Sequence, residues 1–149
     1  MTIDPSALHE FTEVRPSLTP GAGLGLFATR FIPRGTIWWC ARPDNVIRLS
    51  RQQYKMLLRS HLAQSESSRH LLRVIHVYCY FNKTADEAVL TLDDGRFVNH
   101  SDQPNSVGEP SNPAVAVAAR DIAPGEEITE DYRTYSLQSW NVPDEPFLQ

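Results

Sequence analysis

The chain has 149 residues, of which 41% are hydrophobic, 21% charged and 9% aromatic, and this fits one globular domain with a core. Its longest uncharged apolar stretch, around Val74–Phe81, is far shorter than the ~20 residues of a membrane-spanning helix, and its N-terminus lacks a signal-peptide pattern. Two cysteines, Cys40 and Cys79, are too few for a disulfide scaffold or a structural zinc site. We therefore expect an intracellular protein with neither a metal site nor a membrane segment.

The net charge of −4 conceals an uneven distribution along the chain. Residues 1–85 carry 11 Lys and Arg against 5 Asp and Glu, whereas residues 86–149 carry 3 against 13. One interpretation is a solvated acidic surface, and the other is an acidic face that attracts a cationic partner. A direct nucleic-acid binder would usually show a basic excess, so that class is disfavoured.

Short runs rich in β-branched and aromatic residues predict strands along most of the chain. In chain order these are Phe11–Arg15, Leu26–Thr29, Thr36–Cys40, Asn45–Leu49, His76–Phe81, Ala88–Leu92, Ala114–Ala118 and Glu127–Tyr132. Asp102–Pro113 is rich in Asn, Ser, Gly and Pro, which predicts a loop. The pattern indicates a mainly β protein and disfavours alternating strands and helices.

One clear helix is predicted to start at Ser50. Ser50 and Gln53 have the spacing of a capping box, and apolar residues then recur at helical period. These residues are Tyr54, Leu57, Leu58 and Leu62. A second helix is predicted through Ser67–Ile75.

An internal echo joins two distant parts of the chain. Residues 28–35 and 118–125 both fit A-x-R-x-I-x-x-G, and each copy has Pro and Gly placed for a tight turn before a strand-like run. The motif predicts a strand–turn–strand unit that occurs twice, although the copies lie too far apart for a solenoid repeat.

Two polar or glycine-rich segments are candidate binding sites. Residues 21–25, Gly-Ala-Gly-Leu-Gly, do not open a helix, so a dinucleotide fingerprint is disfavoured and two interpretations remain. The segment is either a flexible turn or a turn whose backbone lies against a ligand. Residues 93–105 place Asn99, His100 and Ser101 where a strand-like run becomes a loop, which indicates a polar turn or a polar site.

Three motifs together carry a resemblance to the SET-domain protein-lysine methyltransferases. They are residues 23–28 (GLGLFA), residues 96–101 (RFVNHS) with Pro104 and Asn105, and residues 125–132 (GEEITEDY), and they occur in the order of that family. The resemblance runs from about Phe11 to Tyr135. It implies a β-clip-like SET fold of several small sheets, a short helical insert at about 50–75, a C-terminal pseudoknot and a tail at 136–149. The whole chain, 1–149, is expected to be a single SET domain with its core at about 11–135.

The resemblance also implies a methyl donor, S-adenosyl-L-methionine, and a set of residues that hold it. Residues of the three motifs, with one residue of the tail, would bind this cofactor: Gly23, Leu24, Gly25, Arg96, Asn99, His100 and Trp140. Asn99 and His100 would hydrogen-bond its adenine and amino-acid portions. Trp140 would form an aromatic wall, or else it is a tail residue packed on the core.

In the same family, the position of Tyr132 is that of the catalytic tyrosine, beside a narrow channel for the substrate lysine. Tyr78 and Tyr80 are candidates for lining this channel, although core packing explains them as well. Many relatives have Phe or Tyr where this chain has Glu130, which would either hold the incoming ammonium or point to solvent. This chain also lacks the cysteines of a zinc site after the tyrosine, so no metal is expected.

These implications lead to an expected function. The protein would transfer a methyl group to a lysine of a protein or peptide, and the acidic half of the chain favours a basic substrate such as a histone tail. No nucleic-acid or membrane partner is expected, and the sequence does not indicate an oligomeric state. Two alternatives remain, namely a non-catalytic module that keeps the pocket and a methyltransferase for another side chain such as histidine.

Overall fold

The computed structural model of the chain describes residues 8–59, 65–67, 69–70, 77–82, 85–109 and 112–134. The helices are α1 (Leu8–Phe11) and α2 (Arg51–Arg59), with short 3-10 helices at Asp94–Phe97 and Tyr132–Thr134. The strands are β1 (Thr12–Pro16), β2 (Leu24–Ala28), β3 (Ile37–Cys40), β4 (Val46–Ser50), β5 (Cys79–Asn82), β6 (Glu87–Thr91), β7 (Asn99–His100), β8 (Ser106–Glu109), β9 (Asn112–Ala118) and β10 (Glu127–Glu130).

The described strands form three small sheets, with the orders β1-β2-β10-β7, β3-β9-β8 and β4-β6-β5. All neighbouring pairs are antiparallel except β10 and β7, which are parallel. The last strand in the sequence, β10, therefore lies inside its sheet, between β2 and β7. The predicted mainly β fold with several small sheets is confirmed.

Two compact units can be distinguished. The first contains residues 8–45 and 92–134 with two of the sheets, and the second contains residues within 46–91 with the β4-β6-β5 sheet and α2. The predicted insert at about 50–75 falls within the second unit. In the part of the chain that the structure describes, no helix is long and apolar enough to cross a membrane.

The two copies of the internal echo pair with each other. Ile32 and Ile122 form an antiparallel bridge in which each backbone N–H donates to the other residue's carbonyl at 2.9 Å, and both side chains are fully buried. The two copies of the motif are therefore paired antiparallel to each other. The bridge joins chain segments that are 90 positions apart.

The glycines that end the two copies occupy equivalent places. Gly35 donates its N–H to Ala118 at 2.8 Å, and Gly125 donates to Ala28 at 2.6 Å. Both glycines have left-handed backbones, with φ of 80° and 81°. Because a Cβ is disfavoured in this conformation, the turns before β3 and β10 need glycine.

A β-bulge in β3 explains how two consecutive tryptophans can both be buried. The register with β9 steps from Ile37↔Val117 to Trp39↔Ala116, so that Trp38 is the extra residue. Side chains of a regular strand alternate between faces, but the bulge interrupts this alternation. Trp38 and Trp39 are consequently 1% and 7% exposed.

The predicted capping box at Ser50 is confirmed. The Gln53 N–H donates to the Ser50 Oγ at 3.2 Å, and the Ser50 N–H donates to the Gln53 Oε1 at 2.9 Å. Helix α2 follows at Arg51, and Tyr54 of its predicted apolar stripe is fully buried. Leu62 and most of the predicted helix at Ser67–Ile75 lie outside the described residues.

Two predicted elements are wrong in part. The predicted loop Asp102–Pro113 contains β8 and the start of β9. Ser106–Glu109 becomes a strand because it pairs with β9, and this pairing overrides the local pattern. The predicted strand His76–Phe81 begins later, at Cys79, since Val77 and Tyr78 are helical.

Alanine substitution at either echo glycine should destabilise the protein by a similar amount. A Cβ at Gly35 or Gly125 would meet no atom within 4 Å, so the cost is that of the left-handed backbone alone, about 1 kcal/mol. The free energy of unfolding, measured by urea titration, should fall by this amount for Gly35→Ala and for Gly125→Ala. Gly108→Ala is the control, because that position also has open space but no left-handed backbone, and its stability should change little.

Candidate active site

The glycine-rich segment forms a tight turn before β2 in the first unit. Gly21 and Gly23 have left-handed backbones, with φ of 77° and 76°, and the Ser17 N–H donates to the Gly23 carbonyl at 2.8 Å. Leu24 follows with 46% of its surface exposed. The turn therefore presents backbone and an apolar side chain to the outside, as expected of a surface that meets a ligand.

A buried carboxylate lies directly against this turn. Glu127 of β10 is 7% exposed, and a Cβ built on Gly25 would come within 2.2 Å of its Oε1. An added methyl group at Gly25 would overlap the Glu127 carboxylate and would displace it from its hydrogen bonds. Gly25 thus contributes to the site by having no side chain, which leaves room for the Glu127 carboxylate.

Glu127 accepts hydrogen bonds from two distant chain segments, residues 17–18 and Asn99. Its Oε1 accepts from the Ser17 hydroxyl at 2.6 Å and from the Asn99 amide at 3.0 Å, and its Oε2 accepts from the Leu18 N–H at 2.8 Å. Burial alone would raise the pKa of Glu127, but these hydrogen bonds hold the pKa below its ordinary value. Glu127 is therefore ionised in neutral solution, and its carboxylate connects β10 to Ser17, Leu18 and Asn99.

Asn99 uses its side-chain amide inside the protein. The Nδ2 donates to the Leu24 carbonyl at 2.8 Å as well as to Glu127, which ties the glycine turn to β7. Both amide hydrogens are therefore engaged, and the side-chain atom that Asn99 can offer to a ligand is its Oδ1. Its predicted role toward a cofactor stays a prediction, now restricted to that atom and to the backbone.

His100 holds the backbone of the predicted catalytic tyrosine. Its Nδ1 accepts from the Tyr132 N–H at 3.1 Å, and its Nε2 lies 3.4 Å from the Asp102 Oδ1. Because a backbone N–H can only donate, we assign the lone pair to Nδ1 and the imidazole proton to Nε2, facing Asp102. The two side chains lie close together, with ring centroids 5.6 Å apart.

Two carboxylates and one cation surround this histidine. The Arg133 side chain and its own N–H both donate to Asp131, and these bonds lower the pKa of Asp131 to about 2. The same guanidinium reaches Asp102 at 3.1 Å. Asp131 therefore stays charged, and its Oδ1 is 3.8 Å from the His100 Nδ1.

Tyr132 is half-buried, and its phenol is directed inward. The hydroxyl donates to the carbonyl of Val98, one residue before β7. Burial, with a contribution from the charge of Glu130, raises the pKa of Tyr132 to about 12. The phenol is consequently protonated in neutral solution, and its hydrogen is directed at a backbone carbonyl.

Glu130 also points inward, toward Ser106, and its predicted role toward an ammonium stays a prediction. It is half-buried, and its Oε1 accepts from the Ser106 hydroxyl at 2.9 Å. Ser106 is itself fully buried and accepts from the Trp38 indole N–H at 2.8 Å. The Ser106 hydroxyl, which is itself held by Trp38, therefore fixes one oxygen of the Glu130 carboxylate.

Arg96 lies in the 3-10 helix before β7. Its Nη1 donates to the Leu92 carbonyl at 2.7 Å, and its guanidinium lies over the Phe97 ring, 4.6 Å from the ring centroid. Asp93 caps this helix and also accepts from the Trp39 indole at 3.1 Å. Arg96 thus helps to shape the segment that leads into Asn99, and its predicted cofactor contact stays a prediction.

The remaining predicted site residues do not add to this geometry. Tyr78 and Tyr80 belong to the second unit, where Tyr80 lies in β5, and their predicted place in a substrate channel stays a prediction. Trp140 lies outside the described residues. Within the part of the chain that the structure covers, no group of three or more His, Cys, Asp or Glu side chains is arranged to hold a metal ion.

Several residues of the site were not predicted as such. Glu127 was recognised only as part of a motif, and Ser106 and Trp38 were not singled out. Asn105 was likewise only a motif residue, yet it is 1% exposed and clamps β10 by bonds to the Glu127 carbonyl and the Thr129 N–H at 2.8 and 2.9 Å. A buried polar side chain among apolar neighbours is the signal, and sequence alone does not reveal burial.

The fold and this site define a class of protein. A glycine turn, a short parallel strand pair and a protonated tyrosine held by a histidine meet in one β unit, an arrangement suited to binding a ligand at the turn and positioning a phenol. The family model of the SET domain matches residues 23–133. The chain therefore belongs to the SET-domain family, and the predicted resemblance to SET-domain methyltransferases is confirmed.

Curated relatives agree with this membership. The chain is 34% identical over 122 residues to the mouse (Mus musculus) histone-lysine N-methyltransferase SETMAR, covering 76% of this chain and 38% of the relative. It is 32% identical over 118 residues to the human (Homo sapiens) protein of the same name, covering 74% of this chain and 16% of the relative. The matches thus span well under half of each relative.

A solved structure supports the fold. The chain is similar to the crystal structure of a Plasmodium falciparum protein described as a histone methyltransferase, with a TM-score of 0.50 and 22% sequence identity. The similarity covers 82% of this chain and 92% of that chain. At this identity the likeness concerns the fold.

Replacing Glu127 by Gln should destabilise the first unit in a pH-dependent way. The variant loses charge-assisted bonds to Ser17, Leu18 and Asn99, which should cost about 2 kcal/mol at pH 7. Because the pKa of Glu127 is lowered on folding, its contribution is complete above the ordinary carboxyl range of ~4.3 and is lost as the pH falls through the lowered pKa.

Urea titration of both proteins between pH 7 and pH 3 measures this effect. The difference in the free energy of unfolding should be constant down to about pH 5 and should shrink below the ordinary carboxyl range of ~4.3. Glu13→Gln is a matched control, since Glu13 is exposed and pairs with Arg15 at the surface. A wild-type-minus-variant difference that does not vary with pH would contradict the role of the Glu127 charge.

Proposed function

We propose that this protein transfers a methyl group from S-adenosyl-L-methionine to a lysine side chain of a protein, with Tyr132 at the reaction centre. The observation that carries the proposal is the arrangement of Tyr132 in a member of the SET-domain family. Its phenol is directed to Val98 and its backbone is held by His100, next to the strand that contacts the glycine turn. Two curated relatives are named histone-lysine N-methyltransferases, which supports the same reaction.

The residues around the glycine turn fit the proposed cofactor. Leu24 offers an exposed apolar surface of the kind that an adenine ring covers, and at Gly23 no Cβ shields the backbone. Asn99 offers an Oδ1 acceptor for an ammonium or amino group. Arg96 and the backbone of His100 complete the proposed set, together with Trp140. When bound, the cofactor supplies an electrophilic methyl group on a sulfonium.

The nucleophile in this reaction is a neutral amine. Free lysine has a pKa of ~10.4, so the ammonium must lose its proton before attack, and burial near a positive sulfonium favours that loss. With the cofactor bound, the nitrogen lone pair would form the new C–N bond as the C–S bond broke, and the electron pair of the C–S bond would stay on sulfur. The proton lost before attack would pass to water, and the methylated amine would leave as an ammonium.

Tyr132 acts in this scheme by orientation. Its pKa of about 12 keeps the phenol protonated in neutral solution, so it is not suited to remove the proton from the ammonium. Since its hydrogen is donated to Val98, the phenol oxygen would offer only its lone pairs to the amine and the methyl group. Positioning and exclusion of water then account for the rate.

The substrate we propose is a basic protein segment that bears a lysine. Residues 86–149 carry 13 acidic against 3 basic side chains, and Asp102 and Asp131 lie at the surface beside His100. A negative field attracts a cationic segment and raises its association rate. We place this activity inside the cell, consistent with an unpaired thiol at Cys79 and with the expectation from the sequence.

Tyr132→Phe tests the reaction centre. The variant loses the hydroxyl that binds Val98, and methyl transfer from radiolabelled S-adenosyl-L-methionine to mixed core histones should fall about 100-fold or more. Cofactor affinity, measured by calorimetry, should stay within about threefold, because the glycine turn is unchanged. Tyr54→Phe removes another buried phenol hydroxyl, in the second unit, and should keep its activity per folded molecule. A non-catalytic binding module would show no transfer in any of the three proteins.

The salt dependence of methyl transfer tests whether the acidic half of the chain attracts the substrate. If the acidic half steers a basic substrate, the transfer rate at low substrate concentration should fall several-fold between 50 mM and 500 mM salt, because the distance over which charges act shrinks from more than ~10 Å to a few ångströms. Acidic proteins of similar size should be poor substrates at both salt concentrations. Transfer that is indifferent to salt and to substrate charge would count against steering while leaving the proposed reaction intact.

A further inference from the structure

The backbone of Tyr132 belongs to a closed network of polar contacts. The Tyr132 N–H donates to the His100 Nδ1 at 3.1 Å, and the His100 Nε2 lies 3.4 Å from the Asp102 Oδ1. The Arg133 Nη2 lies 3.1 Å from the same Asp102 oxygen. The Arg133 Nε donates to the Asp131 Oδ1 at 2.8 Å, and Asp131 precedes Tyr132 in the chain. The closed network therefore returns to the residue from which it starts.

The residues on either side of Tyr132 form a capped turn. The Asp131 Oδ1 accepts from the Arg133 N–H at 2.9 Å, and the Asp131 carbonyl accepts from the Thr134 N–H at 3.0 Å. A side chain that accepts from a backbone N–H two residues later is the usual cap of a helical turn. The turn is thus held by its own contacts, and its contacts to the segment that follows β7 include those of Tyr132 with His100 and of Arg133 with Asp102.

The charge of His100 decides whether the closed network can exist. A neutral imidazole has one acceptor nitrogen and one N–H, and the network uses both, toward Tyr132 and toward Asp102. An imidazolium has two N–H groups and no acceptor, so it cannot receive the Tyr132 N–H. Its new Nδ1–H would instead face the Asp131 Oδ1, which lies 3.8 Å away. Protonation of His100 therefore removes the contact that holds the Tyr132 backbone.

Several charged or titratable groups face this imidazole. They come from its own segment, from its partner strand β10 and from the capped turn, and they are Asp102, Glu130, Asp131, Tyr132 and Arg133. The Arg133 guanidinium contacts both Asp131 and Asp102. It thereby occupies the two carboxylates that an imidazolium would use.

We propose that Asp102 and Arg133 are positioning residues for Tyr132, because they close the network that holds the neutral imidazole of His100 against the Tyr132 N–H. The inference rests on the proposed function, since that function gives Tyr132 its place at the reaction centre. It adds two residues from outside the predicted site and makes methyl transfer depend on the charge of His100. Because Tyr132 acts by orientation, a small displacement of its backbone lowers the rate at saturating substrate.

Nuclear magnetic resonance tests the closed network without turnover. The full chain is isotope-labelled at tyrosine and histidine, and the Tyr132 and His100 signals are identified by their absence in Tyr132→Phe and His100→Gln. Histidine side chains commonly gain a proton between about pH 8 and about pH 5. In this range the Tyr132 amide signal should shift together with the imidazole signals of His100. A Tyr132 amide signal that does not follow His100 overturns the inference.

Hydrogen exchange at the Tyr132 amide is the second readout, because the exchange rate rises when the amide hydrogen bond opens. At about pH 7, Asp102→Ala and Arg133→Ala should each raise this rate about threefold, the scale expected of exposed ion pairs. Asp102→Glu keeps a carboxylate and should restore most of the wild-type rate. The double variant should exchange no faster than Arg133→Ala, because both residues act through one network. Equal rates in the wild type and Asp102→Ala, or multiplied effects in the double variant, overturn the inference.

Asp44→Ala is the matched control. The side chains of Asp44 and Asp102 are similarly exposed, 74% and 79%, and each contacts an arginine at 3.1 Å. The partner of Asp44 is Arg42, which is not a member of the closed network. Asp44→Ala should therefore leave exchange at Tyr132 unchanged. An equal rise of exchange at the amide of Tyr54, in the second unit, would show general destabilisation by Asp102→Ala and would overturn the inference.

Turnover is the third readout, measured at about pH 8 with saturating S-adenosyl-L-methionine and saturating mixed core histones. The kcat should fall about threefold in Asp102→Ala and Arg133→Ala and should keep its wild-type value in Asp44→Ala. Steering by the acidic half acts at low substrate concentration, so it does not contribute to this change in kcat. With an active wild-type protein, an unchanged kcat in Asp102→Ala overturns the inference. A wild-type protein that transfers no methyl group contradicts the proposed function, whereas the amide measurements still decide whether the closed network holds Tyr132.

Discussion

The site depends on the close approach of the Glu127 carboxylate to the glycine turn. An added Cβ on Gly25 would lie 2.2 Å from the Glu127 Oε1, so the carboxylate keeps its present position only because Gly25 has no side chain. The same carboxylate accepts bonds from Ser17, Leu18 and Asn99. These three donors offset the cost of removing the Glu127 charge from water.

Strand β10 transmits this constraint to the reaction centre. It lies between β2 and β7, so that one edge contacts the turn and the other contacts the segment of Asn99 and His100. Asn105 fixes the strand from one side through the Glu127 carbonyl and the Thr129 N–H. Because β10 is paired on both edges, the residues that follow it, up to Tyr132, start from a fixed backbone position. A reacting group needs such pre-organisation.

Polar side chains in this unit mostly serve the architecture, and this changes how the motif residues are interpreted. The imidazole of His100 accepts from the backbone of Tyr132, and the amide hydrogens of Asn99 bind Leu24 and Glu127. Residues that the family resemblance implies as cofactor contacts thus also hold the tyrosine and the glycine turn. Loss of either side chain would displace groups that it does not itself bring to the ligand, so activity alone would not separate the two roles.

Local features were predictable from the sequence, because each depends on neighbours along the chain. The capping box at Ser50, the glycine turns and most strands follow from turn chemistry and side-chain period. The three ordered motifs were enough to identify the family. Edge strand β8 was missed because its stability comes from pairing with β9, and Ser106–Glu109 has little strand character of its own. Only the tertiary structure decided which polar groups meet: Asn99 and Leu24 are 75 positions apart, and Ser17 and Glu127 are 110 apart. Only the tertiary structure likewise decided that Glu130 points inward, toward Ser106. Burial and hydrogen-bond partners across such separations are properties of the folded sheets, and they leave no periodic pattern in the sequence.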